Sequence, residues 1–577
     1  MPSLLHATCA VFVVSLLCLN AAVAADEAAH GGSHQHYADE PRAAAPGPDG
    51  ELAPRLQNLG DHHFPVSTKN DQAQRFIDQG LKLAYAFNHA EARRAFREAA
   101  RLDPTLAMAY WGQALVLGPN INAMMQPNEE PHAQEMARKA KSLAASATPR
   151  EQALIEALLA RYSGDAAARK ANDQAYAKAM HDVWQRFPED DDIAVLYIES
   201  MMDLRPWGYW MPDGTPHEGT AEIVALTERV LARNPRHPGA LHLHIHLLEP
   251  TAQARRAERS ADTLLTLMPA AGHMVHMPSH IYQRVGRYAD AIRSNELAVA
   301  ADEDYISQCR AQGLYPMAYY PHNIHFLWFA AMFDGQQAQA LTAARKVAAK
   351  IDDATLASMP MLAGFRVVPY WTLVRFGRWE EMLKEPAPPA SNDFLTGAWH
   401  YGRGEALVAT GKLNDAKREL AALDPLMQAD SLKQPLFSPN TAGAILGVGQ
   451  PVLSGLVAAA EGRYDAAVTA LELAVRREDA LVYTEPSEWA YPPRHALARV
   501  LLQAGRAAEA ETVLWQDLAE HPENGWALHT LAQALRAQHK DTLADTVQQR
   551  FVKAWKRADV KLEDVKPGTA LAVAAQR

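Results

Sequence analysis

The chain has 577 residues and a formal net charge of −11, with 48% hydrophobic and 21% charged residues. This composition belongs to a folded globular protein and excludes a largely disordered chain, and the acidic balance excludes a general grip on nucleic acid. Three cysteines are present, Cys9, Cys18 and Cys309, against 24 histidines.

Residues 1–24 read as an export signal. Val11 to Leu19 form an apolar h-region, and Ala22-Val23-Ala24 is a small-x-small cleavage site. Cleavage there removes Cys9 and Cys18 and leaves Cys309 alone. An intramolecular disulfide and a thiolate zinc site are then both excluded, so metal chemistry must rest on His, Asp and Glu. No other run reaches about 18 apolar residues, so a mature chain soluble in the periplasm or outside the cell is expected. Residues 25–70, rich in Ala, Pro and Gly up to about 60, read as a flexible leader bearing His30, His34, His36, His62 and His63.

From Asp71 onward the pattern is helical. Between Gln72 and Pro104, the residues Gly80, Ala92, Phe96, Ala99 and Pro104 fall at the offsets of the tetratricopeptide consensus, whose period is about 34 residues. Small residues sit where the two helices of a hairpin touch, the aromatic fills the gap, and proline stops the second helix. The turn between helices recurs as Gly286-Arg287-Tyr288, Gly377-Arg378-Trp379, Gly411-Lys412-Leu413, Gly462-Arg463-Tyr464 and Gly505-Arg506-Ala507. The predicted fold is all-α, a tetratricopeptide-type α-solenoid of about ten helical hairpins. Residues 71–235 form N-terminal repeats, 236–350 a central histidine-rich block, 351–560 C-terminal repeats and 561–577 a tail. Two stretches interrupt the array. Arg205 to Thr220, with three prolines and two tryptophans, reads as a loop that could cover a groove. Gln434 to Pro451, rich in Gly and Pro, reads as a second inserted loop.

Nine histidines fall between His237 and His325. The chain average gives roughly four for such a stretch. Their register matters more than their number. His242, His246 and Glu249 occupy positions 5, 9 and 12 of the repeat starting near Pro238. His273, His276 and His280 occupy positions 2, 5 and 9 of the next, and His322 and His325 positions 2 and 5 of the one after. Spacings of three and four residues share a helical face. Three successive first helices therefore present these eight residues toward one surface, expected to be concave. His237 and His244 fall off that face and read as structural or exposed. His89, in the first hairpin turn, reads as a capping or packing residue.

Imidazole suits zinc, copper, iron or nickel, and a His pair four residues apart can chelate one ion from a helix. Seven histidines and one glutamate suffice for two ions with three or four ligands each, some of the eight acting behind the ligands rather than as ligands. The expected function is a metal-binding protein, with zinc or copper held for handling or for metal-dependent catalysis. The alternative is a scaffold that holds a peptide or protein in its concave groove, with neutral histidines as hydrogen-bond partners. No HExxH, nucleophile elbow or phosphate loop names a reaction. Farther on, Glu485, Glu488, Trp489 and Tyr491 form an acidic and aromatic patch near His495, and His495 and His529 sit at position 5 of the last two repeats.

Several motifs carry a resemblance: QGLKLAYAFNHAEARRAF (79–96), AMAYWGQALVLGPNIN (107–122), HPGALHLHIHLLE (237–249), AGHMVHMPSHIYQRVGRY (271–288) and HPENGWAL (521–528). In these the chain resembles exported bacterial tetratricopeptide proteins related to the tetratricopeptide repeat protein 38-like family. The resemblance implies the helical-repeat fold and little about activity. His242, His246, His273, His276 and His280 match its pattern. A Tyr is usual there in place of His244, which sets His244 apart from the candidate ligands.

Overall fold

The computed structural model describes residues 50–309, 318–436 and 439–562. The export signal, the first part of the leader and most of the tail lie outside the described residues. Among them the structure is helical hairpins joined by short turns, with isolated β-bridges and no strand. The fold is an all-α, tetratricopeptide-type helical repeat.

The first hairpin shows why. The Asp71–Tyr85 helix is capped by the Asn70 side chain, which accepts from the backbone N–H groups of Gln72 and Ala73. The His89–Leu102 helix is capped by Asn88 and ends two residues before Pro104. Ala92, Phe96 and Ala99 are fully buried between the helices. The Phe96 ring fills the space left open by two glycines: a Cβ on Gly80 would meet it at 2.7 Å and one on Gly112 at 2.4 Å.

The turn glycines repeat one geometry. Gly286, Gly377, Gly411, Gly462 and Gly505 have φ between +64° and +80°. The next residue's N–H donates back five residues in each case, as from Arg287 to Tyr282 O at 2.7 Å and from Arg506 to Leu501 O at 2.8 Å. This is the left-handed closure of a Schellman motif, and it ends the first helix of each hairpin. The first hairpin makes the same bond, Asn88 N–H to Leu83 O at 3.0 Å, but with Phe87 at φ +55° in the glycine position.

Contacts divide the described chain into two compact units. One comprises 50–281 with 294–323, the other 282–293 with 324–562. The expected central block, 236–350, is thus shared between them.

Two sequence expectations are corrected. The described part of the leader, 50–70, is packed. Phe64 is fully buried and stacks on Trp111 at 5.9 Å. Side chains of neighbouring helices take up the segment's backbone N–H groups: Leu52 donates to Glu98, Leu56 to Gln79 and Phe64 to Asp78, at 2.9–3.0 Å. The second correction concerns the loop expected over Gln434–Pro451, because Ala442–Ala460 is a helix with Pro451 inside it. Proline there removes the N–H that would reach the carbonyl of Gly447. Arg477 Nη1 donates to that carbonyl instead, at 2.6 Å. This helix is long and apolar enough to cross a membrane, yet most of it is buried within the protein.

Candidate metal centre

The expected histidine ligands lie on four helices, and Glu249 follows the end of the first. His242 and His246 are one turn apart on Pro238–Leu248, a helix whose every residue is buried. His273 and His276 lie on Gly272–His276, and His280 on the separate helix Pro278–Arg284. Pro278 lacks an N–H and divides what the spacing suggests is one helix. His322 lies near the start of Tyr320–Phe333. A close approach brings that last helix in. A Cβ on Gly272 would fall 1.9 Å from the Asp302 carboxylate, so only glycine fits. The buried Asp302 in turn accepts a hydrogen bond from Asn323 Nδ2 at 2.7 Å. His322 thereby comes within 4.9 Å of His276, ring centre to ring centre.

The result is two groups of three imidazoles, His242 with His246 and His273, and His276 with His280 and His322. Within each group one nitrogen per ring lies within 4.8 Å of the others. The expected position on an exposed concave surface is not what is observed. His242, His246, His273, His276, His280 and Glu249 are all at most 2% exposed, and His322 is half-buried. The helices carrying them are buried along most of their residues, so packing encloses the imidazoles.

Close polar contacts run through these groups as one chain. His242 Nδ1 meets the carbonyl oxygen of Tyr85 at 2.7 Å, and its Nε2 faces His246 Nε2 at 3.0 Å. His246 Nδ1 meets Glu249 Oε1 at 2.8 Å. The other carboxylate oxygen, Oε2, pairs with His280 Nδ1. His280 Nε2 faces His276 Nε2 at 2.9 Å, and His276 Nδ1 ends the chain on Asn295 Oδ1 at 2.6 Å.

The partners assign the tautomers. A carbonyl, amide or carboxylate oxygen accepts, so the Nδ1 atoms of His242, His246 and His276 carry their protons and donate, and the His280 Nδ1, paired with a carboxylate oxygen, carries its proton too. Each Nε2 then holds a lone pair, and the lone pairs face each other in two couples about 3 Å apart. Such couples repel unless a positive centre is shared between them. Burial, first, and neighbouring imidazoles, second, hold His242, His276 and His273 well below the ordinary imidazole pKa, and His246 likewise. An extra proton is therefore a poor occupant. A metal ion is a better one: two imidazole nitrogens on a tetrahedral zinc stand about 3.3 Å apart. Donation of the remote ring nitrogen to a carboxylate or carbonyl is also the usual setting of a metal-bound histidine.

Glu249, expected as a ligand, reaches the Nδ1 side of His246 and His280 and links the two groups from behind. His325 is not brought in. It belongs to the other unit, where its ring stacks on Trp328 at 5.0 Å and meets Phe365 edge-on at 5.4 Å. His237 and His244 are structural, as expected, but buried. His237 Nδ1 accepts the Ala240 N–H and its Nε2 donates to Asp192 at 3.2 Å, while His244 Nδ1 pairs with Ser260 Oγ at 2.9 Å.

Several residues around the site were not expected from the sequence. The Phe87 ring lies 4.4 Å from His242, 5.9 Å from His246 and 5.7 Å from His273. Its place in a turn that most of the hairpins close with glycine was a readable signal, although His539 fills the same position in the last hairpin. A bulky residue at positive φ is strained, and such strain gathers at functional sites. Tyr319 packs edge-on against His273 at 4.8 Å. Nothing in the repeat register marks Asn295 or the Tyr85 carbonyl. The Arg205–Thr220 loop does reach the site. Trp207 meets His246 edge-on at 5.1 Å, and Trp210 Nε1 donates to Leu247 O at 2.7 Å.

No protein-family model and no curated protein matches the chain. Among solved structures it is similar to the Cut9 and Hcn1 hetero-tetramer of the APC/C at 13% identity and a TM-score of 0.37, covering 88% of this chain and 84% of that one. It is also similar to yeast Tom70, at 14% identity, TM-score 0.29 and coverage of 88% and 96%. Human IFIT1 with m7Gppp-AAAA gives 12%, 0.31, 85% and 91%. At these TM-scores and identities the likenesses transfer no site.

Proposed function

We propose that the chain is a tetratricopeptide-type scaffold whose 50–323 region binds transition-metal ions, zinc or copper, through two three-histidine groups. One observation carries the reading. His242, His246, His276 and His280 each anchor Nδ1 on an acceptor and turn Nε2 toward a neighbouring Nε2. His273 and His322 supply the third nitrogen of each group. Three imidazoles leave a zinc ion one further position for water or another ligand, which suits metal-dependent chemistry or delivery better than a closed structural role.

The site of action follows from the amino terminus. The Val11–Leu19 run and Ala22-Val23-Ala24 support export, and so does the motif resemblance to exported bacterial tetratricopeptide proteins. Intact mass of the protein recovered from a periplasmic fraction tests this, with loss of residues 1–24 expected.

A second reading, a scaffold for a peptide or protein partner, rests on the hairpin array itself, because stacked repeats offer long binding surfaces. Elemental analysis separates the two. The protein is expressed to the periplasm and purified with neither His tag nor chelator. One to two equivalents of zinc or copper are expected. Absence of metal after reconstitution would remove the metal reading and leave the scaffold, to be pursued by crosslinking to partners.

A further inference from the structure

The Arg205–Thr220 segment is fastened beside the first histidine group at a few points. Trp210 Nε1 donates to the carbonyl of Leu247, the residue after His246, at 2.7 Å. Tyr209 is buried, and its carbonyl receives the His217 N–H and the Thr220 hydroxyl, both at 2.9 Å. Beyond Trp210 the segment is a small hairpin, with Trp210 and Pro216 in a β-bridge and the Met211 N–H on Thr215 O at 2.8 Å. Residues 211–216 are all exposed, so the tip adds no packing.

Trp207 precedes these fastenings and sits in an unfavourable backbone conformation. Gly208 N–H donates to Arg205 O at 3.1 Å, which closes a turn over Arg205-Pro206-Trp207-Gly208. Proline second and a positive φ third mark a type II turn, whose third position is ordinarily glycine. Trp207 occupies that position at φ +63°. Five non-glycine residues among the described residues have a positive φ, and the two bulkiest, Trp207 and Phe87, both lay their rings against His246. Such strain persists only where the surroundings over-determine it, and it gathers at clamps and switch regions.

The three aromatic residues around the first group are not equally placed. Phe87 and Tyr319 are 4% and 8% exposed, whereas Trp207 is half-buried. His246, against which the Trp207 ring stands edge-on, is 1% exposed. Trp207 therefore has a ligand imidazole on one side and solvent on the other. Imidazoles this deeply packed cannot exchange an ion with solvent unless a side chain moves aside. Moving Trp207 loses its contact with His246, and relaxation of the positive φ offsets part of that loss. The exposed hairpin beside it, with few packing contacts, belongs to the kind of segment that opens locally.

We infer that Trp207 is a gate on the first histidine group. Its ring shields His246, and its departure with the Arg205–Thr220 segment opens the path for an ion. Metal exchange through the gate rests on the metal reading above, whereas the shielding of the imidazoles does not.

Diethyl pyrocarbonate, which acylates accessible neutral imidazoles, is the probe. It is applied to the metal-free full chain and mapped by peptide mass spectrometry. Trp207→Gly removes the ring and suits the turn, so helical content should be kept, while Trp207→Phe retains a ring. The rate of His246 labelling should rise about tenfold in Trp207→Gly and by less in Trp207→Phe. His237 and His495 are the references. Both are buried with both ring nitrogens engaged, those of His495 on Arg375 Nη1 and Asp517 Oδ2 at 2.9 Å each. Their labelling should not change. In the zinc-loaded protein, chelator-driven release should show one phase about tenfold faster in Trp207→Gly. Unchanged His246 labelling in Trp207→Gly, an equal rise at His237 and His495, or zinc release unaltered by the substitution overturns the inference. A selective rise at His246 in a protein that binds neither zinc nor copper keeps the gate and removes the metal reading.

Discussion

Two histidine and carboxylate clusters lie within the 50–323 region and use the same residue types to opposite ends. Around Asp192, three donors turn inward on one oxygen, and Arg150 approaches the other. His62 Nε2 lies at 2.9 Å, His237 Nε2 at 3.2 Å and the Tyr85 hydroxyl at 2.8 Å. Those hydrogen bonds, chiefly from His237 and then His62, outweigh burial and hold the Asp192 carboxyl far below the usual carboxylate range. Both nitrogens of His237 are used, since Nδ1 caps its own helix. Around Glu249 the carboxylate takes Nδ1 of two rings and leaves their Nε2 atoms facing other histidines. Three donor residues in reach of one another are present in both places. Which ring nitrogen the acceptor takes decides whether the cluster is a closed fastening or a ligand set.

The sharpest way to break this contrast is to remove rings from each cluster in turn. His276→Ala with His280→Ala should lower bound metal severalfold with helical circular dichroism intact. His62→Ala with His237→Ala should leave metal stoichiometry unchanged while lowering stability. Metal loss in the second variant and not in the first would reverse the assignment. Next in size is Glu249→Gln. An amide can accept from one ring but presents N–H to the other, so one of His246 and His280 loses its anchor. Metal affinity should fall about 10- to 100-fold, read by competition with a chromophoric chelator.

The third test concerns a histidine with its nitrogens fully engaged in the other unit. His495 is buried and its pKa is lowered to about 4, chiefly by burial. A lowered imidazole pKa stabilises the fold fully above the unfolded value, about 6.5, and that contribution is lost as pH falls from there toward 4. By pH 5 the loss from this group is about 2 kcal/mol. Urea midpoints measured at pH 7 and pH 5 should differ less in His495→Gln than in the wild type. The smallest expected effect is at Phe87. Phe87→Gly and Phe87→Ala both delete the ring, but only glycine relieves the positive φ. The glycine variant should be about 1 kcal/mol more stable than the alanine variant by denaturant titration. Equal stabilities would mean that the turn is not strained.

Much of the fold was legible because its rules are local. Turn glycines followed by Arg or Lys, small residues at the hairpin contact and proline after the second helix each act within a few residues. The eight candidate ligands were legible from the same register, and six of them fall into the two groups. His325 failed because position 5 of a repeat sets the direction of a side chain only as long as the next helix stacks in register. There it meets Trp328 and Phe365 instead. Glu249 was found, but its place behind the rings depends on which nitrogen it meets. The 434–451 loop was misread because Gly and Pro usually break helices, and the donor that rescues the freed carbonyl, Arg477, lies 30 residues away from Gly447.

The sequence by itself determined the helical hairpins, their turns and the two His pairs spaced by four residues, since each follows from helical period and chain geometry within one repeat. Tertiary structure decided what those histidines can do. It buried them, split one helix at Pro278, brought in His322 through the contact of Gly272 with Asp302, and set carbonyl, carboxylate and amide oxygens behind four of the rings. Those partners come from residues as distant as Tyr85 and Asn295, and only their approach in space fixes where each imidazole proton sits.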